Sequence, residues 1–285
     1  MKHTLQQPLP VEGADCLQQI GVQRWRDGAL TDSTDVVAVE VPVALEYNGL
    51  SHVVMLASPG ALEDFALGFS LSEGLLHDAS ELYDCEVAVQ SDGILIRLQI
   101  ASERFAAFKE QRRNMTGRTG CGLCGAESLS QVWRHPPPVA NNRHDVPPAP
   151  VPAQQLIEGM RAMQGMQTLQ QQSGATHAAA WMNRQGDVVC VREDVGRHNA
   201  LDKLIGALAF AGTDFSEGTV LITSRASYEM VQKSAMMGIS VIAAISAPTS
   251  LAVQLARDTG VSLVGFMREQ SYVVYAHAAR IQASL

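Results

Sequence analysis

At 285 residues, with 46% apolar and 18% charged side chains, the chain can bury a substantial core, as a main domain with a smaller one. Its formal charge of −8 argues against sequence-independent nucleic-acid binding, and its longest apolar runs, such as residues 239–247, fall far short of the roughly 20 residues a membrane helix needs. The polar start MKHTLQQPLP has no secretory apolar stretch, so the expected setting is the cytoplasm, with no membrane insertion.

Residues 1–90 carry 14 acids against three bases, which leaves the remainder net basic. Alternation over residues 36–44, the pair Asn48-Gly49 and the apolar stretch 52–57 predict a β-hairpin, because Asn-Gly supplies the positive φ angles of a tight turn. Pro59-Gly60 then breaks the strand, and Leu62, Phe65, Ala66, Phe69 and Leu76 recur at helical spacing, up to Gly74 and beyond. A second hairpin is expected over residues 86–100, turning at Ser91-Asp92-Gly93, with Ile94, Ile96, Leu98 and Ile100 on one face and a polar face opposite.

Further along, Arg104, Lys109, Arg112, Arg113, Arg118 and Arg134 outnumber Glu103, Glu110 and Glu127, a local field that favours an anion. Residues 135–152 hold most of the chain's prolines and read as an extended connector. The expected division is therefore an N-terminal α+β region (1–134), the connector (135–152) and an α/β core (153–285). In the core, Leu156, Ile157, Met160, Met163 and Leu169 form a helical stripe of the kind that packs inward. Two strands follow at 177–182 and 187–193, joined by a turn at 183–186, then a helix over about 199–210. Buried strands at 219–223, 240–245 and 261–266 alternate with helices near 228–237 and 249–258, which predicts a layered α/β sheet.

The five cysteines, Cys16, Cys85, Cys121, Cys124 and Cys190, fit a reducing compartment better than a disulfide framework. Only Cys121 and Cys124 form a motif, Arg118-Thr119-Gly120-Cys121-Gly122-Leu123-Cys124-Gly125, whose glycines permit exposure and close approach. If residues 126–133 are helical, Cys121 lies just before a helix N-terminus, where the dipole and nearby guanidinium groups favour a nucleophilic thiolate able to accept sulfane sulfur. Cys124 stands where it can attack or shield a sulfur held on Cys121, and the spacing suits a disulfide equally well. As half of a zinc site the pair would have to recruit His135, His144 or His177 from a distance. A thioredoxin-like role would put the motif after the first strand of a βαβ unit, whereas it follows an arginine-rich stretch. No metal site is expected.

Strand-to-helix corners offer a second chemistry, since ligands collect there in open α/β sheets. At 193–203, Arg197 and His198 are candidates to hold phosphate and Asn199 to cap the helix, unless Arg197 only pairs with Glu193 or Asp194. At 223–233, Ser224 and Arg225 beside a helix start, with Lys233 further on, make an anion site, while Ser227 and Glu229 read equally as ordinary helix-start residues. Similar corners at 246–250 and 265–271 suggest that several strand ends converge on one polyanionic ligand, a nucleotide or dinucleotide. His177-Ala178-Ala179 tests for a zinc deaminase, but Ala179 stands where the essential glutamate belongs and no proline precedes Cys121, so that chemistry is not supported. His177 and Trp181 read as packed strand residues.

From residue 36 to 276 the chain resembles the formate dehydrogenase accessory sulfurtransferase (FdhD) family. The resemblance is carried by Val41-Pro42-Val43-Ala44-Leu45, Phe65-Ala66-Leu67-Gly68-Phe69, Ser72-Glu73-Gly74, the cysteine motif from Gly117 to Gly125, Thr176-His177-Ala178-Ala179-Ala180, residues 193–203, and Ser224-Arg225-Ala226-Ser227-Tyr228-Glu229-Met230. It implies a core similar to the cytidine deaminase fold with a smaller N-terminal α+β part, and a homodimer. It also implies a sulfurtransferase, in which a cysteine desulfurase passes sulfur to Cys121 as a persulfide, with Cys124 its partner on the same loop. The sulfur then enters molybdenum bis(molybdopterin guanine dinucleotide), bound as substrate, before that cofactor reaches formate dehydrogenase. Phe266, Met267, Arg268, Glu269, Gln270 and Ser271 are the segment expected to contact the cofactor, with Arg197, His198, Ser224, Arg225 and Lys233 as further candidates, and a guanine nucleotide is expected to fit the same site. The competing function is a non-catalytic cofactor-binding chaperone whose cysteine pair is a structural zinc site or a redox clasp.

Overall fold

The computed structural model describes residues 16–113, 136–139 and 149–283. The Cys121–Cys124 motif, the helix expected at 126–133 and much of the connector lie outside the described residues. The fold is mixed α/β. Its first element departs from expectation: β1 (Leu17–Arg26) and β2 (Ala29–Ala38) form a separate antiparallel ribbon turning at Asp27-Gly28. The alternation over 36–44 therefore spans the end of β2 and the start of β3 (Val41–Tyr47). Alternation specifies which face a residue takes but not which partner its strand pairs with, so a chain crossing from ribbon to sheet keeps one pattern.

β3 and β4 (Leu50–Ala57) are the first expected hairpin, with Asn48 and Gly49 at φ of 47° and 82°. β5 (Leu82–Gln90) and β6 (Gly93–Ile100) are the second, and β6 pairs parallel with β3 to give a four-stranded sheet ordered β4-β3-β6-β5. One face buries Val43, Leu45, Tyr47, Ile94, Ile96, Leu98 and Ile100, as the period of two requires. α1 (Leu62–Ser72) covers it, and α2 (Ser102–Arg113) follows β6.

After β7 (Val151–Pro152) come α3 (Ala153–Met166) and α4 (Thr168–Ser173), then β8 (His177–Asn183), β9 (Val188–Asp194), α5 (Arg197–Phe210), β10 (Gly218–Ile222), α6 (Tyr228–Met236), β11 (Val241–Ala244), α7 (Ser250–Thr259), β12 (Ser262–Gly265) and β13 (Val273–Ala276). A last short strand, β14 (Ile281–Gln282), pairs with β7. The six-stranded sheet runs β13-β12-β11-β10-β8-β9, with β10, β11 and β12 mutually parallel and β8 antiparallel to both β10 and β9. The expected helical stripe is broken before Leu169, because the Glu193 carboxylate accepts hydrogen bonds from the Leu169 and Gln170 amides at 2.9 and 2.8 Å. A carboxylate at free amides favours the start of a new helix over continuation of the old one.

Both faces of the six-stranded sheet are buried. Ala179, Trp181, Val220 and Ile222 face one cluster, together with α1 and α5, while Ala178, Ala180, Met182 and Leu221 face another with Leu156, Met160 and Met163 of α3. This explains why these strands read as continuous apolar runs. The larger cluster continues into the four-stranded sheet, so α1 and α5 lie packed between the two sheets. Where they cross, a Cβ on Gly68 would fall against the Asp202 carbonyl and one on Gly206 against the Asp64 carbonyl. Backbone would have to move to admit either methyl, so Gly68→Ala and Gly206→Ala are each expected to lower unfolding stability by about 1–3 kcal/mol or more, read from the urea midpoint.

Candidate functional site at one edge of the six-stranded sheet

Strand directions decide what meets at this edge. β9 to β12 end here and β8 begins here, so His177, the β9–α5 turn, residues 223–227, 245–249 and the segment from Phe266 all stand along one side. Main-chain bonds lock the turns together: Thr223 N donates to Ala178 O at 3.1 Å, Thr249 N to Ala226 O at 3.0 Å, and Phe266 N to Ser246 O at 3.2 Å. The N-termini of α5, α6 and α7 open on the same side, so their unpaired amides and dipoles favour negative charge there. The four strand-end corners expected from sequence lie along this one edge.

The β9–α5 turn is held by a buried ion pair. Asp194 Oδ2 lies 2.6 Å from Lys203 Nζ, and the same carboxylate accepts hydrogen bonds from the amides of Ser58 and Gly196 at 3.0 and 2.8 Å. Asn199 does not cap the helix. It lies inside the first turn, and its side chain donates to Asp194 Oδ1 at 3.0 Å and to Leu56 O at 2.8 Å, because Gly196 already occupies the cap position. With Glu193 committed to α4 and Asp194 to Lys203, Arg197 makes neither of the pairings weighed for it. Its Nε is enclosed without a hydrogen-bond partner.

His198 Nε2 lies 2.7 Å from Glu229 Oε2, both side chains being about a quarter exposed (24% and 27%). This contact joins the first turns of α5 and α6. The hydrogen bond from His198 holds the Glu229 carboxyl below its ordinary value, against the opposing effect of burial. His177 stands nearby, half-buried, and its imidazole is pushed below the usual histidine range first by burial and then by the Arg197 and His198 charges. It lines an open cavity of about 550 Å³ with Gln167, Gln170, Thr176, Thr223 and Ile245. A second cavity of about 350 Å³, lined by Arg184, Ser240 and Arg280 among others, lies at the opposite edge and contains none of the expected site residues.

The other candidates divide. Ser224 is buried and donates to Arg225 O at 3.0 Å, while Arg225 is exposed. Lys233 points into the interior: its Nζ contacts both Asp202 carboxylate oxygens at 3.0 Å, Glu73 Oε1 at 2.8 Å and Ser72 Oγ at 2.9 Å. Burial alone would push the Lys233 ammonium down, but the Asp202 and Glu73 charges outweigh it and hold it above its ordinary value. Its geometry ties α6 to α1 and α5. In the 266–271 segment, Phe266 is exposed at a φ of 52°, a conformation rare outside glycine. Met267 is buried, Arg268 donates to Ile245 O at 2.6 Å, and Glu269 lies 3.6 Å from Arg161. Gln270 and Ser271 are exposed. Cys121 and Cys124 lie outside the described residues, among which no cluster of three or more His, Cys, Asp or Glu side chains has metal-binding geometry. His177 and Glu229 read in sequence as a packed strand residue and an ordinary helix-start residue, because neither type is rare in those places; only their shared edge singles them out.

The FdhD/NarQ family profile matches residues 38–282. The chain belongs to that family. It is 57% identical over 261 residues to a protein of Cupriavidus necator named sulfur carrier protein FdhD, covering 92% of this chain and 88% of that one. A protein of the same name from Bordetella petrii is 53% identical over 255 residues, covering 90% and 89%. A crystal structure from Desulfotalea psychrophila, described as a candidate formate dehydrogenase accessory protein, has the same fold, with a TM-score of 0.71 at 23% identity over 94% of this chain and all of that one. No described helix of this family member is long and apolar enough to cross a membrane.

The His177 shift gives a pH signature. Its folded value lies below the unfolded one, so the unfolded chain takes up the proton first, and stability rises with pH across the window between the two. Imidazole NMR is expected to place His177 below the ordinary histidine value, and Arg197→Leu is expected to move it upward by removing one of the charges that hold it down.

Proposed function

We propose that this chain is a sulfur carrier in formate dehydrogenase maturation, in which Cys121 accepts sulfur from a cysteine desulfurase and delivers it to molybdenum bis(molybdopterin guanine dinucleotide). In the accepting step the Cys121 thiolate attacks the terminal sulfur of the desulfurase persulfide. One S–S bond forms on Cys121, the bond to the desulfurase cysteine breaks, and that cysteine leaves as a thiolate, so no external oxidant is consumed. Cys124 shields or resolves the carried sulfur. The reading is supported by relatives named sulfur carrier protein FdhD that are more than half identical over nine-tenths of the chain.

The observation that carries the cofactor half of the proposal is the convergence of three helix N-termini with Arg197, His198, Ser224 and Arg225 on one sheet edge. Such an edge suits a ligand with several phosphates. The exposed Phe266, Arg268, Glu269, Gln270 and Ser271 border the same edge, where a guanine nucleotide also fits. Lys233 supports the site from within. The protein works in the cytoplasm as a homodimer, between the desulfurase and formate dehydrogenase.

The deciding measurement is the intact mass after incubation with a cysteine desulfurase and cysteine. A sulfur-sized increment mapping to the Cys121 peptide, absent in Cys121→Ala, is the expected result. Zinc retained on the pair with no sulfur gained would replace the carrier by the chaperone reading.

A further inference from the structure

Gln167 is 4% exposed and occupies the joint between α3 and α4. Its main chain is engaged there, with the N–H donating to Gln164 O and the carbonyl accepting from Gln171 N at 3.1 Å. Its side chain does not cap α4, and among the described residues the carboxamide makes no hydrogen bond. Nor is that carboxamide sealed inside the protein, as Arg197 Nε is; it opens into the cavity of about 550 Å³ beside His177. The other polar groups of the wall are engaged. Gln170 Oε1 accepts from Thr176 N at 2.9 Å, Thr176 Oγ1 donates to Glu193 at 3.0 Å, and Thr223 Oγ1 accepts from Ala178 N at 2.9 Å. A nearly buried amide kept out of this network costs stability, and the arrangement makes sense when an occupant of the cavity supplies the missing partner.

The wall defines the occupant. Among the described residues no Asp, Glu, Lys or Arg lines this cavity, and burial holds the His177 imidazole below its ordinary value, hence uncharged at neutral pH. A charged group placed here would find no counter-charge on the wall, so the anionic part of a ligand belongs outside, along the helix N-termini. What the cavity offers is a carboxamide with two donors and one acceptor, beside the apolar side chain of Ile245. A flat heterocycle whose edge carries an N–H next to a carbonyl oxygen pairs with such a group through two parallel hydrogen bonds, and guanine has that edge at N1 and O6. The cavity also adjoins the corners already described: Thr223 and Ile245 lead toward the starts of α6 and α7, and Arg268 donates to Ile245 O at 2.6 Å. We infer that this cavity holds a guanine base of the nucleotide-containing ligand and that Gln167 reads the edge of that base. This rests on the proposal that the sheet edge binds such a cofactor, and adds where its base goes and which side chain selects it.

Base recognition is separable from a structural role through the choice between two nucleotides. Full-length wild type and Gln167→Met, which keeps the length of the side chain and removes its hydrogen-bonding groups, are titrated calorimetrically with guanosine diphosphate and with uridine diphosphate, and their thermal unfolding is followed without ligand. Wild type is expected to prefer guanosine diphosphate by about tenfold or more. Gln167→Met is expected to unfold at the same or a higher temperature and to bind guanosine diphosphate about tenfold more weakly, with uridine diphosphate unaffected, so that the preference collapses. Equal affinity of wild type for the two nucleotides, or a preference that survives Gln167→Met, overturns the inference while leaving the phosphate-binding edge intact. A variant that unfolds at a lower temperature and loses both nucleotides together makes Gln167 a structural residue and likewise overturns it. If wild type itself fails to bind guanosine diphosphate, the nucleotide reading of the edge fails and this assignment fails with it.

Discussion

The crossing of α1 and α5 is the contact on which the rest of the molecule depends. Gly68 and Gly206 let the two backbones approach so closely that no side chain fits between them, and this fixes the distance between the two sheets that α1 and α5 separate. Close approach also has an electrostatic consequence, because it brings polar groups from the N-terminal part within reach of α5 and α6. Ser72 donates to Asp202 at 2.6 Å and Lys233 spans Ser72, Glu73 and Asp202. From the next position on α5, Lys203 donates to Ser58 O at 2.9 Å while paired with Asp194.

Two lysines at 5% side-chain exposure or less, each satisfied by carboxylates and main-chain or hydroxyl oxygens, are an expensive way to join helices. Replacing such pairs by apolar groups of equal volume is often neutral or stabilising, whereas removing one partner strands the other charge. What they offer here is direction. An apolar contact tolerates sliding, but Lys203 reaches Asp194 and Ser58 together only when the β9–α5 turn is seated against the residues that follow β4. The start of α5 is thereby held in place, and with it Arg197 and His198 on the edge where β9 to β12 end. Tyr47 adds to the same interior: burial is the main reason its hydroxyl is pushed far above the usual tyrosine range, and it shares a 2.8 Å hydrogen bond with Ser70.

The edge itself combines rigidity with unmet bonding capacity. Its turns are tied to one another by main-chain hydrogen bonds, so the donors they present are organised before any ligand arrives, which limits the ordering cost of binding. The strained Phe266 and the enclosed Arg197 Nε without a hydrogen-bond partner lie on this edge.

Much of this was legible in the amino-acid sequence. Asn48-Gly49 dictates its turn because the pair tolerates positive φ, the isoleucines of β6 declare a one-sided strand, and the unbroken apolar character of β10, β11 and β12 announces a sheet buried on both faces. The strand-to-helix corners likewise followed from residue type and spacing, since these are local properties. The β1–β2 ribbon, the break before Leu169, the inward course of Lys233 and the pairing of Glu229 with His198 were not legible. Each depends on which segment is brought alongside which, and the residues involved lie dozens of positions apart or, in the ribbon, share a pattern with the next sheet. Sequence alone determined the faces, the turns and the chemical types available; the tertiary structure decided which charges were spent on holding helices together and which stay at the surface, because only packing sets the distances over which a charge can find its partner.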